Sequence, residues 1–157
     1  MTLYFDDFPV GFTYETATRT VTLDDILDFA NDWDPQPFHT DAEAAKDTIY
    51  GGIISSGWQT LAIAFRLWYD TGIWTEASMG SPGLDGVRWK KPVRPGDTLR
   101  VRAEVLESTP SASRADRGRL LICYHVMNQK DEEVAEVRTI HLMKRKQAAD
   151  DATQSAA

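Results

Sequence analysis

The sequence predicts an α+β fold in which antiparallel strands wrap one long, largely apolar helix, and three observations predict it. The segment GWQTLAIAFRLWYDTG, residues 57–72, is apolar around most of a helical circumference, so it belongs in an interior. After Gly72 the apolar period changes: Leu99, Val101, Ala103 and Val105 alternate with Arg100, Arg102 and Glu104, the mark of a strand with one buried face. The order, finally, is one early strand, then helices, then a run of strands joined by turns, which leaves a single buried helix for the sheet to close over.

The early strand is expected in TYETATRTVT, residues 13–22. Thr22 then precedes LDDILDFANDW, where Leu23, Ile26, Leu27, Ala30 and Trp33 recur at helical spacing and Asp24 and Asp25 occupy the favourable first turn. This helix should end near Asp34, because Pro35 disfavours helical geometry in the residue before it. A loop from Asp34 to His39 follows, then one or two helical turns in DAEAAKD with Asp41 as cap. IYGGIISS leads into the central helix, expected to start at Ser55 or Ser56 and to stop at Gly72. Four strands follow in GVRWKKPV, TLRVRAEVLEST, GRLLICYHVMN and EVAEVRTIHLMK, linked in turn by the turn-rich RPGD, TPSASRADRG and NQKDEE.

A chain of 157 residues, 42% hydrophobic, suits one domain, expected over 1–146. The tail from Gln147 has no apolar periodicity and is expected to be disordered. A net charge of -7 argues against a general nucleic-acid binder, since affinity for phosphate backbones comes from clustered Lys and Arg. No apolar run reaches membrane-spanning length, and MTLYFDDFPVG lacks the basic and apolar regions of a secretory leader, so a cytoplasmic protein is expected. The single cysteine, Cys123, can form no intramolecular disulfide and supplies no metal-ligand spacing; a buried structural thiol is expected, and no metal.

NDWDPQPFHT, residues 31–40, places Asp34 and His39 five apart with two prolines between them. Taken alone, each is an ordinary turn or helix-end residue. Together, a carboxylate and an imidazole can hold one water, remove its proton and return a proton elsewhere, while the prolines restrict the loop that aims them. A backbone N–H at the start of the buried helix, that of Gly57, can stabilise a developing oxyanion, and Ser55 or Ser56 can cap the helix or touch a ligand. Arg88, Lys90, Lys91 and Arg94 form a basic cluster, either a solvated edge or a handle for an anionic ligand. His125 and His141 lie inside strand patterns and read as structural.

These stretches resemble the MaoC-like family of hot-dog-fold hydratases and dehydratases, which includes the (R)-specific enoyl-CoA hydratases. The family signature of Asp, any residue, Asn, Pro, an aliphatic residue and His is matched here by Asp34, Pro35, Gln36, Pro37, Phe38 and His39. GGIISSGWQT looks like the family's glycine-rich lead-in to its central helix, and VRWKKPVRPGDTL like the strand and turn after it. Gln36 replaces Asn and must re-aim the hydrogen bond that orients the loop; Phe38 replaces a smaller residue and narrows the acyl pocket. The resemblance implies a hot-dog domain that hydrates trans-2-enoyl-CoA to the (R)-3-hydroxyacyl-CoA, or the reverse dehydration. Asp34 and His39 would be catalytic, Gly57 and Ser56 would contact the thioester, and Arg88, Lys90, Lys91 and Arg94 would hold coenzyme A. It implies no cofactor besides the coenzyme A of the substrate, and a homodimer or larger homo-oligomer. The alternatives are a hot-dog acyl-CoA thioesterase and a non-catalytic acyl-CoA binding protein.

Overall fold

In a computed structural model, which describes residues 1–146 and 154–156, six strands form one antiparallel sheet against a central helix. Its strands are β1 (Thr13–Glu15), β2 (Arg19–Thr20), β3 (Leu84–Trp89), β4 (Thr98–Pro110), β5 (Arg117–Met127) and β6 (Glu133–Lys144), in the order β1-β4-β5-β6-β3, with β2 also on β4. The helices are α1 (Leu23–Trp33), α2 (Pro37–Thr40), α3 (Ala42–Lys46) and α4 (Gly57–Tyr69). The tail expectation from Gln147 onward falls outside the described residues, apart from 154–156.

Alternation in β4 and β6, and in β5 an unbroken buried run over Leu120–Tyr124, carries the core. Leu99, Val101, Ala103 and Val105 of β4 are buried, as are Leu120, Ile122, Tyr124 and Val126 of β5, and they pack with Ile63, Ala64, Leu67 and Trp68 of α4. The expected early strand is interrupted: β1 and β2 pair with β4 separately, and the Thr16 hydroxyl between them accepts from the Val101 N–H at 2.9 Å. The strand expected over GVRWKKPV starts two residues earlier and ends at Trp89; Lys90 and Lys91 still donate backbone N–H groups to the Val134 carbonyl. Cys123 is buried, and burial pushes its thiol up to about 12, as expected of an inert structural cysteine.

Two expectations about helix faces need correction. In α1, Ile26 and Ala30 are buried, but Leu23 and Trp33 are exposed, Trp33 at 75%. Only a narrow face of this short helix is buried, so its first and last apolar positions project past the core. In α4 the polar Gln59 and Thr60 are buried, whereas Trp58, Phe65 and Tyr69 stand 61%, 48% and 49% exposed. The sheet reaches one side of α4 only, and hydrogen bonds within the chain satisfy the inward polar groups: Gln59 donates to the Asp25 carbonyl at 2.9 Å. The helix ends at Tyr69, before the expected stop, and Gly72 lies just beyond it at φ 69°.

Candidate active site

α1 starts with a reciprocal cap between Thr22 and Asp25, which sets the register that brings Asp34 to its far end. The Asp34 N–H donates to the Ala30 carbonyl at 2.9 Å, and Pro35 stops the helix there. Where a loop was expected, Pro37 opens the one-turn helix α2, and His39 lies on it. Pro at the first helical position is pre-set for helical φ and forfeits no bonded N–H. Asp41 then caps α3 by accepting from the Glu43 and Ala44 N–H groups.

This path carries His39 under the segment that leads into α4. Its Nδ1 lies 2.7 Å from the Ile54 carbonyl oxygen. A carbonyl can only accept, so Nδ1 carries a hydrogen and the variable proton of the ring belongs to Nε2. Nε2 is 3.2 Å from Asp34 Oδ2. Gln36 Nε2 donates to Asp34 Oδ1 and Ser56 Oγ donates to Oδ2, both at 2.7 Å. Burial pushes the Asp34 carboxyl up, but the bonds from Gln36 and Ser56 and the neighbouring imidazole outweigh it, and the group stays below the usual carboxylate range. Gln36 thus spends its longer stem on the carboxylate.

Ser56 caps α4 as well, accepting from the Trp58 N–H at 3.3 Å. Ser55 is buried and donates to Gln59 Oε1 at 2.8 Å. Among the described residues nothing accepts from the Gly57 N–H at the head of the helix. The α carbon of Gly57 is covered on one side: the Trp89 indole lies against it, close enough that a β carbon would meet Cε2 at 2.5 Å and Nε1 at 2.6 Å. Trp89 Nε1 donates to the Gly57 carbonyl at 3.0 Å, and Trp58 meets the same indole edge to face.

These groups line one cavity of about 430 Å³, with Asp34, Gln36, His39, Ser55 and Gly57 on its wall beside Phe38, Tyr50, Ile54, Thr60, Trp89 and Val93. Phe38 packs against both His39 and Tyr50. Of the basic cluster only Lys90 and Lys91 line the cavity. Lys90 pairs with Glu133 and Glu136, whose hydrogen bonds hold its ammonium above the usual range, and Lys91 pairs with Glu132. Arg94 donates to the Tyr50 carbonyl at 2.6 Å, and Arg88 is an exposed residue of β3. His125 lies between Glu104 and Glu133 on the sheet, and His141 is buried against Trp74 and Tyr124, both away from the cavity. Tyr50, Ile54, Thr60 and Trp89 escaped the sequence reading as site residues. The one local hint was Gly57 itself, a glycine with ordinary helical φ that needs a reason for lacking a side chain.

The family model described as the MaoC like domain matches residues 7–119. This chain belongs to the MaoC-like dehydratase family. The protein of Bacillus subtilis called Uncharacterized protein YdeM is 37% identical over 140 residues, 89% of this chain and 98% of its own. The crystal structure of the MaoC-like dehydratase from Rhodospirillum rubrum is 36% identical and superposes with a TM-score of 0.84, over 92% of this chain and 98% of that one. The 3-hydroxybutyryl-CoA dehydratase of Methylorubrum extorquens is 29% identical over 118 residues, 72% of this chain and 70% of its own. The sheet packed against α4 is therefore the hot-dog fold of the MaoC-like dehydratases.

Proposed function

We propose that this protein hydrates trans-2-enoyl thioesters of coenzyme A to (R)-3-hydroxyacyl thioesters, and catalyses the reverse dehydration. The observation that carries this is the polarity of the site: the Asp34 carboxylate and the acceptor-capable His39 Nε2 stand together in a cavity that also holds the Gly57 N–H, which has no acceptor among the described residues. Water needs acceptors for its protons, and a thioester oxygen gaining charge needs a donor.

A water held between Nε2 and Asp34 attacks the β carbon through oxygen. The π pair of the alkene moves toward the carbonyl, the thioester oxygen becomes enolate-like on the Gly57 N–H, and the water proton passes to the Asp34–His39 pair. The pair then returns a proton to the α carbon and the carbonyl re-forms. Ser56 and Gln36 keep the carboxylate ionised and aimed; the positive end of α4 favours the oxyanion. The addition is redox-neutral: the base lends a lone pair to the water proton and recovers it when a proton goes to the α carbon, so the reaction as written uses no cofactor. The coenzyme enters past Lys90 and Lys91, with Arg88 and Arg94 as further candidate partners of its phosphates.

The similarity to a 3-hydroxybutyryl-CoA dehydratase supports the reaction class. The test follows loss of the conjugated thioester absorbance across trans-2-enoyl-CoA substrates, together with free thiol. Absorbance loss without thiol, falling by at least about 10² in Asp34→Asn and His39→Ala variants that remain folded, is the expected result. Thiol release would replace the reading with a thioesterase, and binding without turnover would replace it with a carrier.

We propose a homodimer as well. Among the described residues β3 is an edge strand paired only to β6, Leu84 and Trp89 on it are exposed, and Trp58, Phe65 and Tyr69 continue the apolar surface along α4; a patch of this kind ordinarily has a partner. Sedimentation equilibrium at micromolar protein should return twice the chain mass, and a monomer would sink the proposal.

A further inference from the structure

Gln59, in the first turn of α4, is buried and stands outside the cavity lining. Its amide joins two other segments of the chain. Nε2 donates to the Asp25 carbonyl of α1 at 2.9 Å, and Oε1 accepts from the Ser55 hydroxyl at 2.8 Å. The orientation of the amide is forced, because a carbonyl only accepts: nitrogen must face Asp25, which turns oxygen toward Ser55.

The residue that Gln59 grips is the one that closes the N-terminal cap of α1. The Asp25 N–H donates to Thr22 Oγ1, and the Asp25 carboxylate accepts from the Thr22 N–H. At the other end of the same helix, the C-cap residue Asp34 accepts from Ser56 Oγ at 2.7 Å. Ser56 is the N-cap of α4 and Gln59 its third residue, so two bonds run from one turn of α4 to the first turn and the last residue of α1. A single bond would act as a pivot, whereas two fix the angle between the helices. Apolar packing seats α1 less firmly: of its eleven residues only Ile26 and Ala30 are buried, with Leu27 partly buried against the core.

We infer that Gln59 is a positioning residue of the site: by holding the first turn of α1 against α4, it keeps the Asp34 carboxylate within reach of the Ser56 hydroxyl. The inference rests on the hydratase reading only for the work that the carboxylate does, since the geometry belongs to the resting protein. Without the grip, α1 is free to turn about its remaining contacts, and the Ser56 bond, one of those that lower the Asp34 carboxyl, weakens.

Carbon-13 NMR of the aspartate carboxyls, with the Asp34 signal assigned through Asp34→Asn, reads the resting geometry without any substrate. Gln59→Met keeps the length of the side chain and removes both bonds, and the Asp34 titration should move to higher pH. In a Ser56→Ala background, where the bond that Gln59 serves is already gone, the same substitution should move it no further. Hydration of trans-2-enoyl-CoA by Gln59→Met should fall by about 10- to 100-fold in kcat, the loss that a displacement of up to about 1 Å brings, with KM changed by less than about twofold. Gln59→His, whose ring can donate to Asp25 from one nitrogen and accept from Ser55 at the other, should restore both readouts. Gln59→Asn, one methylene too short to keep both bonds, serves should the methionine variant fail to fold. An Asp34 titration that the variants leave unmoved, or equal shifts with and without the Ser56 hydroxyl, would overturn the inference. A shifted titration in a protein that hydrates nothing would leave the role of Gln59 standing and remove the hydratase reading.

Discussion

Adding one methyl group at Gly57 tests the contact around which the site is built. In Gly57→Ala the new β carbon would sit 2.5 to 3.0 Å from three atoms of the Trp89 indole, so the ring must move and its bond to the Gly57 carbonyl is lost. That bond is worth about 1 kcal/mol, and forcing a methyl into packed surroundings costs about 1–3 kcal/mol. In the single chain Trp89 is 50% exposed and has room to turn outward, which favours the lower end. Against this, alanine in a helix gains up to about 1 kcal/mol over glycine. The balance is a loss of about 1–2 kcal/mol, which for a chain of this size lowers Tm by roughly 2–8 °C. In a Trp89→Ala background the collision is gone, and Gly57→Ala should be neutral or stabilising by up to about 1 kcal/mol. Urea unfolding of the four proteins in this cycle gives the coupling, expected near 2 kcal/mol. Equal effects of Gly57→Ala with and without Trp89 would refute the reasoning, because the indole would not be what the methyl meets.

The hydration assay with Asp34→Asn and His39→Ala and the sedimentation measurement of the dimer stand as two further predictions. Gln36→Ala removes a bond that lowers the Asp34 carboxyl, so the acid limb of kcat/KM should move to higher pH; an unmoved limb would show that Gln36 does not tune the carboxylate. The sign is the same for stability: the group's depressed native value favours folding above the unfolded carboxylate range and loses that contribution as pH falls through the native value, so any deficit of the variant at neutral pH should shrink in acid. Burial lowers the His141 imidazole to about 4, below its unfolded value near 6.5. The unfolded chain therefore binds the extra proton first, and stability should fall from about pH 6.5 toward pH 4 with a slope approaching ~1.4 kcal/mol per pH unit. His141→Gln should flatten that slope in urea midpoints measured across the window, and an unchanged slope would assign the acid sensitivity to other groups.

The alternating runs that became β4 and β6 could be read because period-two burial is local. So could the Thr22 cap and the Asp34 to His39 interval, where Pro35 and Pro37 are unambiguous punctuation. Residues whose role depends on a distant partner could not. Trp89 sits at the end of a strand whose pattern shows only that it alternates; that its ring lies on Gly57, 32 positions earlier, follows from β3 ending beside the head of α4. The glutamates that neutralise Lys90 and Lys91 come from the β5–β6 turn and from β6, so a linear count of positive charge over 88–94 overstated what the cluster offers an anion. An apolar pattern on nearly every side of α4 carried no information on which side the sheet would take, and Gln59 and Thr60 went inward because partners awaited them.

The anchoring of His39 has a consequence for how this protein can diverge. The group that fixes the tautomer is a main-chain carbonyl, present whatever amino acid occupies position 54. Mutation there can remodel the room available to a ligand while the proton-handling atoms keep their arrangement. Chemistry and preference are inherited through different atoms of one residue, so a lineage can exchange one substrate for another without passing through an inactive ancestor.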